Sequence, residues 1–269
     1  MIRCILSLLL ILLLPSPSPA AGFDFSPYAE MLNNYLSINR QIHNIPVNTI
    51  DYARMDLEQS AKGSTWRKML ADLARFDPTS IADRNQRMAF WINVYNIAAI
   101  KTILDHWPVD SIRSSKIHWF GYPWKQEIIL VGGREYSLYQ IEFEQLVEGF
   151  RDLRVHLGIN CASASCVDLL PEPFSGEKLD DQLRYQGERL AMQRKKGLAI
   201  NRETGVVKVS KVFDFDKEHF DRWAGGAVNF LLPYTSTEDR AFLQDGEFEL
   251  EYLDYDWTVN DSGQAAPRP

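Results

Sequence analysis

The sequence predicts an α+β domain, mostly helical in its N-terminal half and carrying a small antiparallel or mixed sheet. Two observations carry that expectation. Segments with apolar residues at helical spacing fill the chain up to about Leu104, and most of the short alternating segments come after it. Helices first and hairpin-like strands later is the α+β order, not the regular alternation of a parallel α/β sheet. The chain has 269 residues, 45% of them hydrophobic, which excludes wholesale disorder and suffices for one large domain.

The first residues, Met1-Ile2-Arg3, precede an apolar run from Cys4 to Leu14 and then Pro15-Ser16-Pro17-Ser18-Pro19-Ala20-Ala21. A basic start, a short apolar centre and small residues at Ser18 and Ala20 predict a signal peptide over 1–20 and a periplasmic or secreted protein. The run is shorter than the roughly 20 residues that cross a bilayer, so stable membrane insertion after cleavage is not expected. Cleavage removes Arg3 and leaves 249 residues with 28 basic and 36 acidic side chains. That acidic balance argues against nucleic acid, whose phosphates need Lys and Arg. A single globular domain is expected over 21–260 and a fraying tail over 261–269, where Ser, Gly, Ala and Pro dominate.

Tyr28 to Ile42 has helical spacing at Met31, Leu32, Tyr35 and Leu36, and a second helix fits Thr65 to Phe76 before Asp77-Pro78. The helix from about Gln86 to Leu104 is apolar nearly all round, which predicts burial on several sides. Asn93 and Asn96 are neighbours on one of its faces. Glu127 to Val131, Gly132-Gly133 and a return through Tyr136 read as a hairpin, and Ser137-x-x-Gln140 as a capping box opening a helix to about Phe150. Val155 to Asn160 is a strand candidate. A helix from about Glu177 to Lys196 stops at Gly197, and Leu198–Ile200 with Val206–Val212 forms a second hairpin. Helices fit Lys217 to Leu232 and Glu238 to Leu243, the latter capped from Thr235, and Phe248 to Val259 alternates like a terminal strand.

The densest reactive cluster is His156-x4-Cys161-x4-Cys166, in a segment rich in small residues. A thiolate is a nucleophile when an imidazolium or helix N-terminus lowers its pKa. On an unbroken strand His156 and Cys161 lie about 17 Å apart on opposite faces. They meet only if the chain bends back after Asn160. Two alternatives stand beside a functional thiol: a Cys161–Cys166 disulfide in an oxidising compartment, and a zinc site, which lacks a second His-rich motif. No metal and no cofactor is expected. His43, His106, His118 and His219 read as structural or exposed. Asn93 and Asn96 read first as a satisfied core network and second as hydrogen-bonding partners of a ligand. Glu142 and Glu144 suit the first turn of a helix, and either can orient His156. Trp119, Tyr122 and Trp124 read as rim or core aromatics that can line a groove.

Five blocks in order resemble the uncharacterised bacterial and plant family called domain of unknown function 547. They are Ile50-Asp51-Tyr52; Ala89-Phe90-Trp91-Ile92-Asn93-Val94-Tyr95-Asn96; Ser137-Leu138 with Ile141-Glu142; Arg154 through Cys166; and Val209-Ser210-Lys211-Val212-Phe213. Two departures stand out. Val167-Asp168 follows the second cysteine where the family usually has Pro, and Glu142-Phe143 stands where Glu-His is frequent. The second departure leaves His156 as the natural base. By analogy, the order Glu142, His156, Cys161 or Cys166 resembles a rearranged papain-like or transglutaminase-like thiol site.

The expected function is therefore an exported thiol-dependent hydrolase or acyltransferase acting on a small-molecule or peptide-like amide. Cys166 is the expected nucleophile with Cys161 close behind, His156 the base and Glu142 the orienter. Asn93, Asn96, Trp91, Asn160 and Ser165 are the expected substrate-binding residues. The alternative is a non-catalytic periplasmic binding or envelope-scaffold domain held by a Cys161–Cys166 disulfide.

Overall fold

The computed structural model describes residues 22–264, 266 and 267, so the expected signal peptide lies outside the described residues. The architecture is α+β, organised around one buried helix. The elements run α1 (Ser26–Tyr35), β1 (Leu36–Ile42), β2 (Ile45–Ile50), α2 (Tyr52–Gln59), α3 (Thr65–Arg75) and α4 (Arg84–Leu104). A hairpin of β3 (Glu127–Val131) and β4 (Arg134–Ser137) follows, then a π-helical segment, Gln140–Val147, that ends as one α-turn, α5 (Glu148–Phe150). The remainder comprises α6 (Leu179–Met192), β5 (Leu198–Asn201), β6 (Val206–Val209), α7 (Val212–Phe215), α8 (Lys217–His219), α9 (Ala227–Leu231), α10 (Thr237–Asp245), β7 (Glu249–Tyr252) and β8 (Ala266–Pro267).

Helix α4 starts at Asp83, whose carboxylate accepts from the Gln86 N–H at 2.7 Å, a side-chain cap on an otherwise orphaned donor. Every residue from Met88 to Ile100 is buried, as its nearly continuous apolar sequence requires. Among the described residues the strands form three small sheets, ordered β2-β1-β8, β3-β4 and β5-β6-β7. Their pairings are antiparallel except β6 with β7, which is parallel. The capping box at Ser137 forms reciprocally. The Gln140 N–H donates to Ser137 Oγ at 3.2 Å, and the Ser137 N–H donates to Gln140 Oε1 at 3.0 Å.

Several local expectations give way to tertiary context. The first helix ends at Tyr35, and Leu36 to Ile42 becomes a strand because Ile45 to Ile50 is there to pair with it. The expected strand at Val155 is a 3-10 turn, Leu153–Leu157. The expected helix from Lys217 to Leu232 breaks at Gly225 and Gly226, whose φ values of +70° and +109° leave the helical region. The cap of α10 is Ser236, which accepts from the Asp239 N–H, and not Thr235. The terminal strand is confined to β7, after which the chain makes isolated bridges to Ser111 and Ser163. The segment from 261 onward does not begin as a fraying tail. Asp261 is buried and accepts from the Tyr52 and Gly263 N–H groups, and β8 pairs with β1.

Candidate active site

The cysteine segment is held from several directions. From α4, Asn96 donates through Nδ2 to the Gly158 carbonyl at 2.9 Å and accepts the Asn160 N–H at 2.8 Å. It thereby pairs with backbone as a neighbouring strand would. Asn93 does the same for Phe174, with contacts of 2.8 and 2.9 Å. Asn160 then folds the loop on itself, accepting the Ala162 N–H at 2.8 Å and donating to the Val167 carbonyl at 2.6 Å. Ala162 sits at φ +57°, a left-handed conformation that costs a non-glycine residue about 1–2 kcal/mol. With the 3-10 turn at Leu153–Leu157, it supplies the bend that a strand would have denied.

The C-terminal segment closes the other side. The Ala164 N–H donates to the Thr258 carbonyl, the Asn260 N–H donates to the Ala162 carbonyl, and the Asp256 N–H donates to Ser165 Oγ. Asp168 anchors the end of the loop. One carboxylate oxygen takes the Lys196 ammonium at 2.8 Å and the Asn48 N–H at 2.9 Å; the other takes Arg189 Nε at 3.1 Å and Gln193 at 2.9 Å. Burial pushes the Asp168 carboxyl up, but the Lys196 and Arg189 charges outweigh it and leave the group below the usual carboxylate value.

A cavity of about 720 Å³ opens on this loop, and His156, Cys161, Cys166 and Glu142 all line it. Both cysteines are buried free thiols. The Cys161 N–H donates to Cys166 Sγ at 3.1 Å, and Cys161 Sγ lies 3.2 Å from Ser163 Oγ and 3.0 Å from the Tyr255 hydroxyl. The Cys166 thiol is held below its ordinary value, chiefly because the Cys161 thiol hydrogen-bonds to it, with the Cys161 N–H and the Lys196 charge adding to this. The same hydrogen bond, with burial, pushes the Cys161 thiol up. Of the two, Cys166 is the better thiolate.

His156 meets two carboxylates. Its Nε2 lies 2.8 Å from Asp216 Oδ2, and both side chains are 4% exposed. Its Nδ1 lies 3.7 Å from Glu142 Oε1, beyond hydrogen-bond length. The closer partner is thus Asp216, and Glu142 stands beside the free nitrogen. Burial raises the Glu142 pKa; the His156 charge and the hydrogen bond from the Tyr95 hydroxyl, at 3.1 Å, only partly offset this. Asp216 also holds a second imidazole. His219 Nδ1 is 2.5 Å from Asp216 Oδ1, and His219 Nε2 is 2.9 Å from Glu148 Oε1. Burial works against the charged form of His219, but the two carboxylates raise its pKa all the same.

Two π-helical segments frame this cluster. Gln140–Val147 carries Glu142, and Phe220–Ala224 begins just after His219. Such insertions are concentrated at functional sites, since the extra residue re-aims side chains.

The residues expected to bind substrate are elsewhere. Asn93, Asn96, Asn160 and Ser165 are buried in loop-holding hydrogen bonds, and Trp91 packs edge-on against Tyr136 and Phe90. None of the five lines the cavity. Tyr122 and Trp124 do line it, whereas Trp119 is 82% exposed and does not. Asp216 and Tyr255 were not singled out from the sequence, Tyr95 stood there only within a family block, and His219 read as structural or exposed. Only Tyr95 carried a usable signal, lying on the same helix as Asn93 and Asn96. Among the described residues, no group of three or more His, Cys, Asp or Glu is placed to hold a metal ion.

Residues 79–189 match the family model described as "Protein of unknown function, DUF547". No curated protein and no solved structure matches the chain.

Proposed function

We propose, on the premise that residues 79–189 are a domain of the DUF547 family, that the chain is a thiol-dependent hydrolase or acyltransferase acting on a peptide-like amide. The leader-like first 20 residues add that it acts outside the cytoplasm. One observation carries the reading: His156 lines the same cavity as two free thiols, with Nε2 held by buried Asp216 and Nδ1 unbonded. An ionised Asp216 can only accept, so Nε2 keeps its proton and Nδ1 is the basic nitrogen. Asp216 therefore takes the orienting role first expected of Glu142.

The chemistry follows the usual course of acyl transfer. Cys166, having given its proton to His156 Nδ1, attacks the amide carbon through sulfur, and a C–S bond forms. The C–N bond breaks, and the departing nitrogen takes the proton from Nδ1. Water or an acceptor amine then attacks the thioester carbon, losing a proton to His156 as the C–S bond breaks. That proton returns to Cys166. Glu142, kept protonated to higher pH than an ordinary glutamate, is suited to donate a hydrogen bond to the carbonyl oxygen as charge develops there.

Alkylation tests this directly. At pH 6 one cysteine reacts with iodoacetamide faster than an ordinary thiol of pKa about 8.5 does. Peptide mapping places the label on Cys166, and His156→Ala lowers the rate at least tenfold. No fast cysteine, or a rate indifferent to His156, overturns the reading. Zero titratable thiol with a mass two hydrogens low points instead to the alternative, a binding or scaffold domain with a Cys161–Cys166 disulfide.

A further inference from the structure

The charged side chains lining the cavity are accounted for almost completely. Asp216 pairs with His156 and His219, Asp214 with Lys211, Lys217 with Asp221, and Glu218 with Arg222. Glu142 has Tyr95 and the His156 ring, and His219 has Glu148 as well. Arg113 is the exception. Among the described residues it makes no ion pair and no hydrogen bond through its two terminal nitrogens.

It is nonetheless held in place. Its Nε donates to the Gly121 carbonyl at 3.1 Å, and its guanidinium carbon lies 5.1 Å from the centre of the Trp257 ring. Gly121 returns the loop onto Arg113 at φ +65°, where an added Cβ would come within 3.0 Å of the Arg113 carbonyl oxygen. A guanidinium fixed by its Nε and its face presents its outer pair of N–H groups, the edge that matches a carboxylate bidentately.

The ring beneath Arg113 begins a path to the thiols. Trp257 stacks on Phe215 at 5.6 Å and packs on Tyr255 at 4.3 Å, and the Tyr255 hydroxyl is 3.0 Å from Cys161 Sγ. Aromatic faces therefore connect the unpaired cation to the reactive end of the cavity. The chain as a whole carries a net charge of −7, which repels anions at long range. An anionic substrate accordingly needs a local cation, and Arg113 is the cavity's uncommitted one.

We propose that Arg113 and Trp257 form a carboxylate subsite, so that the substrate is a peptide-like amide bearing a free carboxylate and an apolar or aromatic side chain beside it. The carboxylate takes the outer edge of Arg113, the side chain lies on Trp257 and Phe215, and the amide carbonyl reaches the thiols. This rests on the thiol-dependent reading above.

Isothermal titration of the native protein with acetyl-Ala-Ala-Phe, free acid against C-terminal amide, tests it. The acid is expected to bind at least tenfold more tightly than the amide. Arg113→Gln is expected to bring the acid to within twofold of the amide while leaving the affinity for the amide and the near-ultraviolet dichroism unchanged. Arg113→Lys keeps the charge without the fork and recovers part of the preference. Equal binding of acid and amide, binding of neither, or an equal loss of both in Arg113→Gln overturns the subsite. Alkylation of Cys166 needs no ligand, so the two readings fail separately. Fast alkylation without acid preference removes only the subsite, and acid preference without fast alkylation removes only the thiol chemistry.

Discussion

Two buried acid–base clusters bracket the cysteine loop, and they are built oppositely. At Asp168 the carboxylate receives four donors, from Lys196, Asn48, Arg189 and Gln193, and the Asp168 and Lys196 side chains are 1% and 0% exposed. None of these residues lines the cavity. At Asp216 two imidazoles share one carboxylate, and the Nδ1 of His156 is left without a hydrogen bond beside Glu142. The first cluster is saturated and has no proton to exchange with a ligand. The second keeps one nitrogen in reserve at a cavity wall. The difference separates a group that holds a loop in place from a group equipped to move a proton, although both are carboxylates buried among bases.

The comparison breaks most forcefully at Asp168. Asp168→Asn strands Lys196 as a buried charge with no carboxylate and is expected to cost about 3–5 kcal/mol by chemical denaturation near neutral pH. The sign follows from its lowered pKa. The ion pair's contribution is complete above the unfolded value near 3.8 and is lost as pH falls through the folded value, so native and variant converge in acid. A variant as stable as the native protein at pH 7 would show that the cluster is not the loop's anchor.

A smaller effect is expected where α4 grips the loop. Asn96→Leu leaves the Gly158 carbonyl and the Asn160 N–H without their partner, at a cost of about 1–3 kcal/mol. It should also slow alkylation of Cys166, because the loop loses its hold. Unchanged stability would count against the core-network role read first for Asn96 and leave the second, a hydrogen-bonding partner of a ligand.

Glu142→Gln sharpens the other side of the comparison with the smallest shift. Burial raises the Glu142 pKa, so the folded state prefers the protonated form. Its contribution is full below the unfolded value near 4.5 and is lost as pH rises through the raised folded value. Glutamine never ionises, so the variant should melt higher than the native protein at pH 8. At pH 4 the two proteins should melt together. A variant that is less stable at pH 8 would mean that Glu142 is held ionised by His156.

Much of the scaffold was legible because it is governed over a few residues. The continuous apolar run of α4, the Ser137–Gln140 box and the Gly132-Gly133 turn each depend on near neighbours. The candidate site was half legible. His156, Cys161, Cys166 and Glu142 share one cavity, and reactive side chains in a short small-residue segment were the signal. The strand assigned to Val155 failed for a reason outside it. Those apolar residues pack into the core on a 3-10 turn, and periodicity in so short a run does not tell the two apart. His219 was read as structural or exposed, because its value to the site depends on Asp216 and Glu148 reaching it from elsewhere.

What the sequence by itself determined is the set of local geometries and the inventory of reactive groups. Helix spacing, caps and turns are short-range steric and hydrogen-bonding matters, and thiol or imidazole chemistry belongs to the residue type. What only the tertiary structure decided is the company those groups keep. Asp216 lies 60 residues from His156 and Tyr255 lies 94 from Cys161, both beyond the matched stretch 79–189. Hydrophobic burial is non-directional, so it drives these segments onto one core without specifying in the chain which loop meets which. Which carboxylate turns the imidazole, and which thiol has the lower pKa, are set by separations of a few ångströms that exist only once the core has closed.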